Sequence, residues 1–101
     1  MATYISTINF TEQGIKAVKE TTKRAAALDA AAKKMGVKLT SNFWTLGAYD
    51  GILVFEAPDD ETATALMLQI GSAGNVHTTT VRAFNAGEMD KILEKIGGRG
   101  K

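Results

Sequence analysis

Residues 37–57 read VKLTSNFWTLGAYDGILVFEA, and the fold turns on this stretch. Two runs rich in β-branched and aromatic residues, 37–46 (VKLTSNFWTL) and 52–57 (ILVFEA), flank Gly47-Ala48-Tyr49-Asp50-Gly51. Two such runs around a short connection with a glycine at each end predict an antiparallel hairpin. The second run is apolar at nearly every position. Side chains alternate across a strand, so Ile52 and Val54 face one way while Leu53, Phe55 and Ala57 face the other. Phe43 and Trp44 likewise fall on opposite faces. A strand that is oily on both sides needs cover on both sides.

Upstream, residues 2–9 (ATYISTIN) predict a strand that sends Tyr4 and Ile8, with Phe10 beyond them, to one face and Ile5 to the other. Thr11 suits a helix N-cap, and Phe10 and Ile15 have the spacing of a hydrophobic staple. Gly14 stands where a capping box would place Glu or Gln, while Glu12 puts negative charge in the first turn. An Ala-, Lys- and Glu-rich helix should then run to Met35, burying Ile15, Val18, Thr21, Ala25, Leu28, Ala32 and Met35. The alanines of that stripe imply a helix lying close to a sheet. Lys16, Lys19, Lys23, Lys33 and Lys34 fall on other faces as solvated surface. Gly36 stops the helix.

Downstream, Pro58-Asp59-Asp60-Glu61 marks the start of a second helix reaching about Ala73, with Ala63, Leu66, Met67 and Ile70 at helical spacing. Residues 76–84 (VHTTTVRAF) predict a fourth strand. Residues 86–96 predict a short amphipathic helix carrying Met89, Ile92, Leu93 and Ile96 on one side. The order β-α-β-β-α-β plus a terminal helix is the ferredoxin-like, split-βαβ pattern. This is an α+β fold, a four-stranded antiparallel sheet with both main helices on one face. Residues 1–96 form one domain, and the small, basic residues 97–101 are expected to be a flexible tail.

Two helices cover only one face. The other would expose an apolar patch of several hundred Å², more than soluble monomers usually carry. Burying about 600 Å² of it is worth roughly 15 kcal/mol before the costs of association. The expected cover is the same face of a second copy, giving a homo-oligomer with a two-fold dimer as its unit. The alternative is that the terminal helix folds back over it.

Composition narrows the function. The chain has 101 residues, 45% of them hydrophobic, and twelve basic against eleven acidic side chains give +1 at pH 7. That balance argues against a dedicated nucleic-acid binder. No cysteine is present, which excludes disulfides, thiolate metal sites and Cys nucleophiles. No apolar run is long enough for a membrane span and no signal pattern opens the chain, so a cytoplasmic location is expected.

Trp44-Thr45-Leu46-Gly47-Ala48-Tyr49-Asp50, the apolar strand after it and Glu56-Ala57-Pro58-Asp59-Asp60 resemble the GYD-domain family. That family's signature is a glycine, a tyrosine and an aspartate in the hairpin between the second and third strands. Gly74-Asn75-Val76-His77-Thr78 and Arg82-Ala83-Phe84 also look like it, with His77 standing where arginine is expected. The resemblance covers nearly the whole chain and is similar in turn to the dimeric α/β-barrel superfamily. It implies ferredoxin-like subunits packed sheet to sheet. Members of that superfamily include cofactor-independent monooxygenases, haem-degrading enzymes and isomerases, and a fold at this level hosts many functions.

The candidate ligand-binding residues are Tyr49, Asp50, Trp44, His77 and Arg82. A phenol and a carboxylate at the hairpin can orient a polar substrate or exchange a proton; equally, Asp and Gly form turns and a Tyr packs its ring. His77, the one histidine, has a suitable donor for haem or base chemistry but lacks a partner motif, and no metal site is expected. Trp44, Phe43 and Phe55 suit a pocket wall or plain core. Thr78, Thr80 and Arg82 share a face with Val76 and Phe84 and suit an anionic or carbonyl-bearing ligand, with Asn75 nearby. No phosphate loop, dinucleotide fingerprint, nucleophile elbow or zincin motif occurs, and no cofactor is expected. Three functions stay open. The first is an oligomeric small-molecule-binding protein with its pocket between the sheet and a partner copy. The second is a cofactor-independent monooxygenase or isomerase on an aromatic or carbonyl compound. The third is a structural or regulatory assembly module.

Overall fold

The computed structural model describes residues 1–97; residues 98–101, most of the expected tail, lie outside the described residues. The elements are β1 (Ala2–Phe10), α1 (Glu12–Lys16), α2 (Thr21–Lys34), β2 (Lys38–Trp44), β3 (Gly51–Ala57), α3 (Asp60–Ser72), β4 (Val76–Ala83) and α4 (Ala86–Lys95). The strands form one antiparallel sheet in the order β2-β3-β1-β4. The α+β, ferredoxin-like arrangement is therefore present.

Register assigns the two faces. Tyr4 lies between Phe55 and Arg82, Ser6 between Leu53 and Thr80, and Ile8 between Gly51 and Thr78. These residues meet α2 and α3, where Leu53, Phe55, Ala57, Leu66 and Ala32 are sealed from water. On the reverse face Ile5 lies between Val54 and Val81, and Ile52 lies beside Phe43. Phe43 and Val81 are 62% and 55% exposed.

Three expectations need correction. The first long helix is broken: a 3₁₀ turn, Val18–Glu20, separates α1 from α2. Gly14 is the cause. A Cβ there would stand 1.9 Å from the Asn75 carbonyl oxygen, so the chain before α2 is pressed against the turn leading into β4. Thr11 N–H donates to Asn75 O at 3.0 Å and the Thr11 hydroxyl donates to Gly74 O at 2.6 Å. Tertiary contact overrides local propensity at this point. Second, the bent path leaves Ile15 53% exposed and Val18 36% exposed, so both drop out of the expected buried stripe. Third, α4 does not fold back over the open face. Its contact with the rest of the chain includes the Glu88–Arg82 pair with β4, Ile92 and Leu93 are half-buried, and the molecule measures 56 × 31 × 18 Å. Its radius of gyration is 15.8 Å, against about 13 Å for a compact chain of this length. The start of α3 falls within the expected Pro58–Glu61 stretch, with Asp59 as its N-cap.

Candidate functional site

The sequence loop 45–50 is stitched to the end of β1. Asp50 N–H donates to Ile8 O at 2.8 Å, and Asp50 Oδ2 accepts from Phe10 N–H at 2.8 Å. Asn9 Nδ2 donates to Ala48 O at 3.0 Å, and the Thr45 hydroxyl donates to Tyr49 O at 2.6 Å. Gly47 adopts φ +124°, a backbone conformation that other residues rarely adopt. A Cβ on Gly51 would come within 3.1 Å of Phe43 O. The glycines and the aspartate thus carry out a definite geometric task, closing the hairpin against β1.

Below this stitched corner is a cavity of about 290 Å³ between the sheet and the helices. Its apolar wall includes Ile8 and Phe10 from β1, Leu28 from α2, Trp44 from β2, and Leu66 and Ile70 from α3. Small residues leave the room: Ala25 and Ala31 of α2 and Ala73 after α3 also face it. The alanine stripe therefore has two consequences. It allows close approach at Ala32, which is fully buried, and it leaves a hollow where α2 stands off the sheet.

The wall also carries the polar residues Thr21, Arg24, Asn42, Asp50, Gln69 and Asn75. Trp44 Nε1 donates to the Thr21 hydroxyl at 3.0 Å, tying β2 to the start of α2. Asp50 contributes the carboxylate already engaged by Phe10. Arg24 is the cation of the wall; its Nη1 donates to Ala17 O at 3.0 Å, capping a carbonyl at the helix break. Arg24 escaped the sequence reading, although a signal was there. Positions 24, 28 and 31 have helical spacing, so a lone cation sits on the same face as Leu28 and Ala31.

The five residues singled out from sequence do not converge. Trp44 and Asp50 line the cavity, whereas Tyr49 sits in the loop outside it, 47% exposed. His77 is paired with Asn9 on the open face and is exposed. Arg82 is on the helix-covered face, but opposite Tyr4, four positions of β1 away from the Ile8 corner, or about 13 Å at strand spacing.

At that far end Arg82 belongs to a closed cluster. Its guanidinium donates to Thr3 O at 3.3 Å and to Ala83 O, and it pairs with Glu88 at 3.2 Å. It stacks 4.5 Å from the Phe84 ring centre and 5.8 Å from that of Tyr4. The Tyr4 hydroxyl donates to Asp60, which, with burial, pushes the phenol's pKa above its ordinary value. The Asn85 N–H and then Arg82 hold the Glu88 carboxyl below the usual range. Asp59 is also held low, by hydrogen bonds from Thr62. Among the described residues no group of three or more His, Cys, Asp or Glu side chains is placed to hold a metal. No helix among them is long and apolar enough to cross a membrane.

A family model for the GYD domain matches residues 4–93. The chain belongs to the GYD-domain family. Within the matched span, Gly47 and Asp50 shape the hairpin corner, and the Tyr49 carbonyl accepts from the Thr45 hydroxyl. The chain is also 28% identical over 90 residues to the glutamine synthetase and cystathionine beta-lyase binding protein of Thermus thermophilus, an alignment covering 88% of this chain and 95% of that one. No solved structure matches it with significance.

Proposed function

We propose that this GYD-domain chain is a self-assembling, cytoplasmic small-molecule-binding protein. The ligand enters the cavity between α2, α3 and the sheet, and a second copy covers the open sheet face in the manner of a dimeric α/β barrel. The cavity carries this reading. At about 290 Å³ it lies just below the ligand-pocket range of roughly 300–1,000 Å³, a size for a small ligand, and its mainly apolar wall with a few placed polar groups is the usual character of such pockets. Its position differs from the expected one. It opens on the helix-covered side of the sheet, so a ligand does not compete with a partner copy for the same face.

Binding without reaction is better supported than the oxygenase or isomerase alternative. Catalysis of that kind calls for a polar cluster facing the substrate, and Tyr49, His77 and Arg82 stand outside the cavity wall. A second reading, a protein-binding adaptor, is favoured by one observation: the relative's name describes the binding of two enzymes. Met89 on α4 and Ile96 just beyond its end, both exposed, give such a partner a surface.

Filling the hollow tests the first reading. Ala31→Phe should occupy the cavity, costing less than about 2 kcal/mol because space is already there. Native mass spectrometry of protein isolated from cell extract should show a small-molecule adduct on the wild type and none on the variant. Equal adducts on both would place the ligand elsewhere, and an adduct on neither would favour the adaptor.

A further inference from the structure

Arg24 is left incomplete. A guanidinium carries five N–H donors and is always charged. Nη1 is engaged by Ala17 O, but Nη2 is sealed from water and has no acceptor among the described residues. Arg24 also enters none of the ion pairs formed among those residues. A cation on the cavity wall without a counter-charge is unfavourable unless an anion completes it, and Nη2, closed to the cavity as it is to water, joins such a pair only when the side chain turns. Contrast Arg82, whose guanidinium is met by two carbonyls, a carboxylate and an aromatic face.

We propose that the cavity takes a small apolar acid, with its hydrocarbon body against Leu28, Leu66 and Ile70 and its carboxylate paired with Arg24. The proposal rests on the reading of the cavity as a ligand site and names the class of ligand. Three observations select that class. The wall is chiefly hydrocarbon, which favours an apolar body. It has one cationic side chain, which matches one negative charge, and the planar fork of a guanidinium matches a carboxylate. Asp50, on the same wall, already gives Oδ2 to Phe10 N–H, and its charge disfavours a second acidic group on the ligand.

Calorimetric titration with 4-phenylbutanoate and its neutral isostere 4-phenylbutanamide, both at pH 7 and low salt, separates the outcomes. The acid should bind the wild type about tenfold or more tighter than the amide, as expected for one charge-assisted pair. Arg24→Gln should bring the acid down to the amide's affinity while leaving the amide unchanged, and Arg24→Lys should keep part of the preference. Equal binding of both compounds to the wild type overturns the acid class and leaves the cavity reading standing. The wild-type comparison needs no variant to fold. Binding of neither compound at millimolar concentration overturns the acid class and counts against the cavity reading as well.

Discussion

Val54 and Phe55 are consecutive residues of β3 with opposite surroundings. Phe55 is fully buried, stacked on Tyr4 with ring centres 5.3 Å apart, beneath α2 and α3. Val54 sits between Ile5 and Ser41 on a face that no helix covers. Both residues are apolar, so composition does not separate them. The difference is that one face has found its partner within the chain and the other has not. The apolar part of that open face, Ile5, Ile52, Val54 and Val81 among threonines, is the surface on which the proposed assembly would form.

The sharpest way to test this contrast is on the covered side. Phe55→Ala removes a ring from a sealed layer and should cost about 3–5 kcal/mol, read from the midpoint of urea unfolding. A loss below about 1 kcal/mol would mean that the layer beneath the helices is loosely filled throughout. The contrast would then vanish.

One position earlier, Val54→Asp should act mainly on association. Sedimentation at about 10 μM should give a dimer mass for the wild type and a monomer mass for the variant, with the far-ultraviolet dichroism retained. Some loss of apparent stability accompanies dissociation by mass action, and it should diminish as the wild type is diluted. A wild type that sediments as a monomer breaks the comparison outright, because the open face would then tolerate water.

The two faces were legible from the sequence because the unbroken apolar run in ILVFEA puts oily side chains on both sides of a strand, and β3 needs no knowledge of its neighbours to display it. The hairpin was legible for the same reason, its turn residues lying beside the strands that they join. The break after α1 was not legible. Gly14 reads as a missing capping-box residue, and only the approach of Asn75, 61 positions later, shows why nothing larger fits. The cavity was hidden similarly: alanines on a helix stripe permit contact or leave space, and the angle of the helix decides which. Of the candidate residues, Trp44 and Asp50 reached the cavity wall because the hairpin itself builds that corner. Arg82 and His77 were grouped with them by residue type, by the family resemblance and, for Arg82, by strand alternation, none of which reports distance along the sheet; strand length and face separate them.

The smallest expected effect lies where β4 hands over to α4. Glu88 accepts from Asn85 N–H at 2.9 Å and from Arg82 Nη2 at 3.2 Å, while Asn85 Oδ1 accepts from Glu88 N–H at 2.8 Å, a complete capping box. The Asn85 N–H and then Arg82 hold its pKa below that of an unfolded glutamate, so the unfolded state binds the proton first on acidification. The contribution of Glu88 to stability is therefore full above the usual glutamate value and is lost as pH falls through the lower, folded one. Because α4 has no fully buried residue while α3 buries Ala63, Leu66 and Met67, its cap matters more to it than a cap does to α3. Amide exchange over residues 86–95 should be level from pH 7 down to about 5 once the intrinsic rate is corrected for, and protection should fall below about pH 4. Glu88→Gln retains a group that can accept from Asn85 N–H but not the charge, so protection should start slightly lower and stay flatter across that range. A wild-type helix indifferent to acid would mean that α4 is held by something other than its cap. The natural candidate would be a second copy lying against Met89 and Ile96.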